Sequence, residues 1–229
     1  MAAGFSVRMP TAPVASLGED RPVSSETTHR APPPRDRGTE QSVREAALTL
    51  FAQRGYHGTA LRDIANDVGI RTPSLYNHIE SKQELLRGIL LTTTEQVWSD
   101  FEAAVAGVND VGERLRRAVQ TYALRHAIHR REALIVNRDV ASLDEPARSE
   151  VMALRRRHER AVRQIIIEGV GAGTFRVDDP FLASFGILEM CVSVARWFDP
   201  AGALSAEHIA SEHARFALRL VGAGEPDRS

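Results

Sequence analysis

The sequence predicts an all-α chain of about nine helices, and three observations predict it. Apolar residues recur at steps of three and four through every long segment after residue 40. Gly, Pro, Asp and Ser punctuate those segments, and none of them alternates with the two-residue period of a strand. With 229 residues, 43% hydrophobic and 26% charged, the chain can bury one small and one larger core.

Val43, Ala46, Ala47, Leu50 and Phe51 carry a first helix of about 15 residues, which Gly55 ends. Thr59 is placed to N-cap a short second helix, with Asp63 near its positive end. Ala65 falls where this helix crosses the next, and Gly69 falls at the turn, where a residue tolerant of positive φ is needed. Thr72 before Pro73 reads as an N-cap with proline at the first helical position. Ile64, Val68, Ile70 and Leu75 are then inward residues, while Arg71, Thr72, Ser74, Tyr76 and Asn77 form an outward row of hydrogen-bonding side chains. Such a helix-turn-helix presents its second helix to a DNA groove. The candidate DNA-contacting residues are Thr59, Arg62, Arg71, Thr72, Ser74, Tyr76, Asn77, His78 and Lys82. Ser81 and Glu84 then form a Ser-x-x-Glu capping box that opens a fourth helix.

The run FAQRGYHGTALRDIA from Phe51 to Ala65, followed by Leu75, Tyr76, Asn77, His78 and Lys82, resembles the N-terminal domain of the tetracycline-repressor (TetR) family. The likeness extends over residues 40 to 86, and one departure is Ile79, where the family usually has phenylalanine. The resemblance implies a dimeric regulator that binds a double-stranded DNA operator and answers to a small molecule. Charge gives little support of its own: residues 39 to 80 hold four arginines against five acidic residues, and the whole chain carries −1. Non-specific DNA affinity is expected to be weak. Lys82 is the only lysine beside 28 arginines, so it reads as a phosphate contact, with a solvated helix start as the plain alternative.

Residues 1–38, rich in Pro, Ser, Thr, Arg and Glu, are expected to be a disordered extension. A basic arm for the minor groove, through Arg30, Arg35 and Arg37, is the alternative. Residues 39–86 form the expected DNA-binding domain, 87–222 an effector-binding and dimerisation domain, and 223–229 a tail. No apolar run reaches the ~18 residues of a membrane span, and no secretory signal is read at the N-terminus. The single Cys191 fits a reducing cytoplasm, and no membrane partner is expected.

In the larger half, the fourth helix is expected from Ser81 to Gly107, with Trp98 toward its far end. A fifth runs from Gly112 to Arg130 and a sixth from Arg131 to Leu143. Asp144, Glu145 and Pro146 open a seventh that ends near Gly169; Asp179 and Pro180 open an eighth, broken by Asp199-Pro200; Ser205 caps a ninth. The eighth helix is apolar on nearly every side, so part of it must face a second copy, with Phe185, Leu188, Val192 and Phe216 as candidate dimer residues.

His158 lies at the centre of the apolar stripe of the seventh helix with Arg155 toward its edge, and Tyr122, His126 and His129 continue the stripe of the fifth. The candidate effector residues are Trp98, Tyr122, His126, Arg155, His158 and Trp197. For each of them a satisfied core group is the plain alternative. The stretch Val194 to Val221 is similar to regulators that sense acyl-CoA thioesters of fatty-acid or sterol breakdown, in which case Arg155 would hold phosphate and Trp197 would line the apolar part. A hydrophobic drug or an aromatic acid is the competing class of effector, and a constitutive scaffold dimer is the reading without one. His126 and His129 lack a third ligand at metal spacing, no phosphate loop or nucleophile turn is present, and neither catalysis, cofactor nor metal is expected.

Overall fold

The computed structural model describes residues 37–223. The tail from residue 224 and the extension before residue 37, with Arg30 and Arg35, lie outside the described residues. Among those described, nine α-helices follow one another: α1 (Arg37–Arg54), α2 (Leu61–Val68), α3 (Thr72–Leu75), α4 (Lys82–Val105), α5 (Val111–Ile128), α6 (Arg130–Asp139), α7 (Ala147–Gly171), α8 (Pro180–Trp197) and α9 (Ala206–Leu220), with a 3₁₀ turn over Val140–Ser142. The all-α expectation holds, and the expected sixth helix is shorter because its last turn tightens into that 3₁₀ turn.

Most boundaries follow from local caps. Ser81, Asp110, Asp179 and Ser205 each accept a backbone N–H from the first turn of the helix they precede. Only half of the Ser81–Glu84 box forms, because the Glu84 carboxylate pairs with Arg87 instead. Two expected caps are corrected. The N-cap of α2 is Ala60, whose N–H donates to Asp63, while the buried Thr59 hydroxyl donates back to Leu50 O and Gly55 O at the end of α1. The N-cap of α3 is Arg71, which puts Thr72 inside the helix. Gly69 takes φ +78, and Ile70 N–H reaches back to Ala65 O to close α2.

One core cluster joins α1 to α4 and continues into Ile135, Val136, Leu143 and Val151, so packing does not break at residue 86. A second surrounds Leu115, Ile165, Ile166, Ile187 and Ala214 of α5, α7, α8 and α9. By length and mean hydropathy of 1.2, α8 could cross a bilayer, which corrects the expectation that no segment would. Its Ala183, Ile187, Cys191 and Val194 are nevertheless buried in the helical bundle, the position of a core helix.

Candidate DNA-binding face and effector cavity

The helix-turn-helix is packed onto the first core cluster. Ile64, Ala65 and Leu75 are fully buried against α1 and α4, and the bend between α2 and α3 holds Arg71, Tyr76 and Asn77 exposed, with Thr72 and Ser74 half-exposed beside them. Tyr76 leaves 56% of its surface in solvent, so its ring and hydroxyl are open to a partner outside the subunit. Regular α-helix ends at Leu75, and the chain continues in helical turns, with Asn77 N–H to Ser74 O and His78 and Ile79 N–H to Leu75 O. Arg62 on α2 is also exposed.

Two of the expected DNA residues, Thr59 and His78, are turned away from that exposed row, and Lys82 stands beside it. Thr59 is 1% exposed and bonded to α1, so it has no free group for DNA. His78 lines a recess with Glu40, Arg44 and Glu84, and its Nδ1 is buried without a partner. Lys82 opens α4 with its Nζ 4.1 Å above the centre of the Tyr56 ring, a contact that holds the ammonium in place while leaving N–H donors outward. Partial burial lowers its pKa against the pull of Asp139 and Asp63.

A cavity of about 260 Å³ lies among α4, α5, α6, α7 and α8. It gathers Tyr122, His126, Arg155 and His158 as expected, and leaves Trp98 and Trp197 out. Trp98 packs on Phe101 under the guanidinium of Arg157, 3.8 Å from its ring centre. Trp197 is half-exposed on the outer face of α8, donating to Ser193 Oγ at 3.3 Å. Conversely Leu188 and Val192, expected at a dimer interface, line the cavity, with Phe185 at its half-exposed rim. At about 100° per residue the face holding residues 185, 188 and 192 lies well apart from the one holding 182, 186 and 197; α8 turns the first inward. Phe216 is exposed on α9, near His213.

Within the cavity the Tyr122 ring lies 4.4 Å from that of His126 and 4.7 Å from that of His158. His126 Nδ1 lies 2.9 Å from Tyr122 O, and since a carbonyl only accepts, Nδ1 carries the proton and Nε2 is left as an acceptor. Burial first, then the charges of Arg125 and Arg155, outweigh that hydrogen bond and hold His126 down at about 4. Burial, with His126 beside it, brings His158 to about 4 as well. Burial likewise pushes the Tyr122 phenol up. Arg155 donates to Val136 O and Asn137 Oδ1 of α6, both at 3.3 Å. His129 faces Glu132, and no group of three possible metal ligands occurs among the described residues.

The family model described as "Bacterial regulatory proteins, tetR family" matches residues 43–89, and a tetracyclin repressor-like C-terminal domain matches residues 108–221. The HTH-type transcriptional repressor KstR2 of Rhodococcus jostii is 31% identical over 195 residues, covering 82% of this chain and 95% of the relative. The chain belongs to the TetR family. A TetR-family regulatory protein of Rhodococcus RHA1 superposes with a TM-score of 0.77 at 28% identity, over 83% of this chain and all of the other. PfmR, a TetR-family regulator of Thermus thermophilus, does so with 0.71 at 33% identity, over 80% and 98%. AibR, solved in complex with isovaleryl coenzyme A and operator DNA, shares the fold at a TM-score of 0.72 and 24% identity, over 81% and 100%.

The site is built from segments distant in sequence, and several lining residues escaped the sequence. Thr93 and Thr94 send their hydroxyls back to Ile89 O and Leu90 O at 2.7 Å, leaving methyl groups for the cavity. Arg125, with 9% of its side chain exposed, is held by Asp100 and Gln96 of α4. The threonine run that follows the apolar Ile89-Leu90-Leu91 was a readable signal; the pairing of Arg125 with Asp100 across two helices was not.

Proposed function

We propose that this chain is a dimeric, ligand-released transcriptional repressor acting in the cytoplasm, with residues 39–86 reading a near-palindromic operator and residues 87–222 binding the effector and the second copy. The observation that carries this reading is a mostly apolar cavity placed one helix away from a built helix-turn-helix: Thr93 and Thr94 of its wall lie on α4, which starts directly behind the recognition turn. The curated relatives named KstR2 are repressors by name. Arg62, Arg71, Thr72, Ser74, Tyr76 and Asn77 meet the DNA, with Lys82 on a phosphate.

The effector in this reading is an acyl-CoA thioester whose acyl part enters the cavity. A cavity of about 150 Å³ accepts benzene, so one of about 260 Å³ takes roughly ten non-hydrogen atoms and leaves the nucleotide outside. Exposed Arg156 at the lining then serves the coenzyme's phosphates, in place of the half-buried Arg155. AibR offers a precedent of fold, and the ligand class here rests on the cavity. An effector that binds the DNA-free form about 100-fold better in each subunit shifts the equilibrium by about 5 kcal/mol per dimer, enough to clear an operator.

The test is a titration of the protein–operator complex with acyl-CoA thioesters of increasing chain length, beside free coenzyme A and the matching acids. Release by a thioester supports the reading. Release by a free acid or drug alone moves the effector class, and no release by any small molecule leaves a constitutive scaffold. In the same assay Tyr76→Ala is expected to weaken operator binding by roughly 1–3 kcal/mol with the fold intact.

A further inference from the structure

The cavity ends on polar groups that the subunit leaves unmatched. The Tyr122 hydroxyl and the ring nitrogens of His158 make no hydrogen bond among the described residues, although His158 is almost wholly buried. Arg155 donates only to neutral acceptors, at 3.3 Å each, and forms no ion pair. Arg125 pairs with Asp100 through Nη1, yet its Nε is buried with no partner. Of the two carboxylates in the lining, Glu159 is engaged by Arg163 at 3.6 Å; burial is the main cause that raises the Tyr122 phenol, and Glu189, exposed and without an ion pair among the described residues, is close enough to add to it. Two guanidiniums of the lining, Arg155 and Arg156, form no ion pair among the described residues; Arg156 is exposed, and Arg155 alone is half-buried in a largely apolar enclosure, where Coulomb attraction is stronger than in water. Both histidines are neutral at pH 7, so neither competes for an anion by charge, and His158 retains one N–H to donate.

We propose that this end of the cavity is a carboxylate site: the effector is a compact apolar body bearing a carboxylate that Arg155 receives, with Tyr122 and His158 hydrogen-bonding its oxygens. Arg155 is the one half-buried guanidinium of the lining without an ion pair, which matches a monoanion; a phosphate dianion at this depth would leave charge buried without a partner. The inference rests on the effector reading above and narrows it. Such a carboxylate has two sources, a free acid or the far end of a dicarboxylic acid whose other end is joined to coenzyme A.

Calorimetry with the full-length protein decides it, using 3-phenylpropanoate, its methyl ester and 3-phenylpropanol as one set and pimeloyl-CoA against heptanoyl-CoA as the other. The acid is expected to bind at least about tenfold tighter than the ester and the alcohol, since only it makes a charge-assisted pair. Arg155→Gln is expected to remove that preference while leaving the ester within about twofold, and Arg125→Lys, which keeps the charge against Asp100, to reduce it less. A pimeloyl-CoA preference assigns the carboxylate to the far end of an acyl chain; a preference confined to the free acid assigns it to an acid. Equal binding of acid, ester and alcohol, no binding of any carboxylate, or an undiminished preference in Arg155→Gln overturns the site. Operator release by heptanoyl-CoA without carboxylate preference would uphold the repressor reading and overturn this one; carboxylate-selective binding that leaves the operator occupied does the reverse.

Discussion

His126 and His158 make the stability of this protein depend on pH in a definite direction. Burial holds both near 4 in the folded chain, below the ordinary histidine value of about 6.5, so the unfolded chain binds more protons between those limits. Their neutral forms are compatible with the fold above about pH 6.5, and stability is lost as pH falls toward 4, by a few kcal/mol for the pair as an order of magnitude. Melting temperatures at pH 7 and pH 5 are expected to differ less in His158→Gln than in the parent chain. An identical difference would show that His158 does not titrate with unfolding. At this scale the sequence disclosed residues whose surroundings are made by their own helix: Tyr76 on the outward side of the turn, His158 at the centre of a stripe. It misplaced Thr59, whose hydroxyl has a partner nine residues back, because a threonine before a helix reads as a cap whether or not another carbonyl lies closer.

Helix limits were legible for a physical reason. Caps at Ser81, Asp179 and Ser205 act within three residues of themselves, so the information lies in the local sequence. The faces of α8 were not, because a helix apolar on nearly every side gives periodicity nothing to select. Leu188 and Val192 turned to the cavity and Trp197 to solvent, the reverse of the expectation. Inside α7, Gly169 records a close approach of the same tertiary kind: a Cβ there would lie 2.0 Å from the ring of Phe175, which the chain folds back over the helix after Gly173. Gly169→Ala improves helix propensity by about 1 kcal/mol but must displace that ring, so a net loss of roughly 1–3 kcal/mol is expected in chemical denaturation. A variant as stable as the parent would mean that Phe175 is free to move. Phe175→Ala in the same background should relieve the clash, and the two effects should fail to add.

For the whole molecule, the face of α8 that carries Leu182, Gly186 and Trp197 has no cover within the subunit, and Phe216 and Leu220 of α9 are exposed as well. Gly186 is the informative residue. A glycine in a helix interior is roughly 0.5–1 kcal/mol worse than alanine, and nothing in the subunit lies within 4 Å of a Cβ built there. The single chain has no use for that glycine; two α8 helices crossing closely at a dyad would. The dimeric operator reading proposed above calls for the same dyad, since two recognition turns would sit about 34 Å apart to meet successive half-sites. Gly186→Arg should therefore leave the helical circular dichroism of the subunit unchanged, because the side chain enters open space, yet convert the protein to a monomer by light scattering. Operator affinity should fall with it by at least about tenfold, because a half-site alone supplies only part of the contact free energy. A Gly186→Arg protein that remains dimeric and holds its operator as the parent does would place the two-fold interface away from α8, and the exposed apolar face would then need another partner.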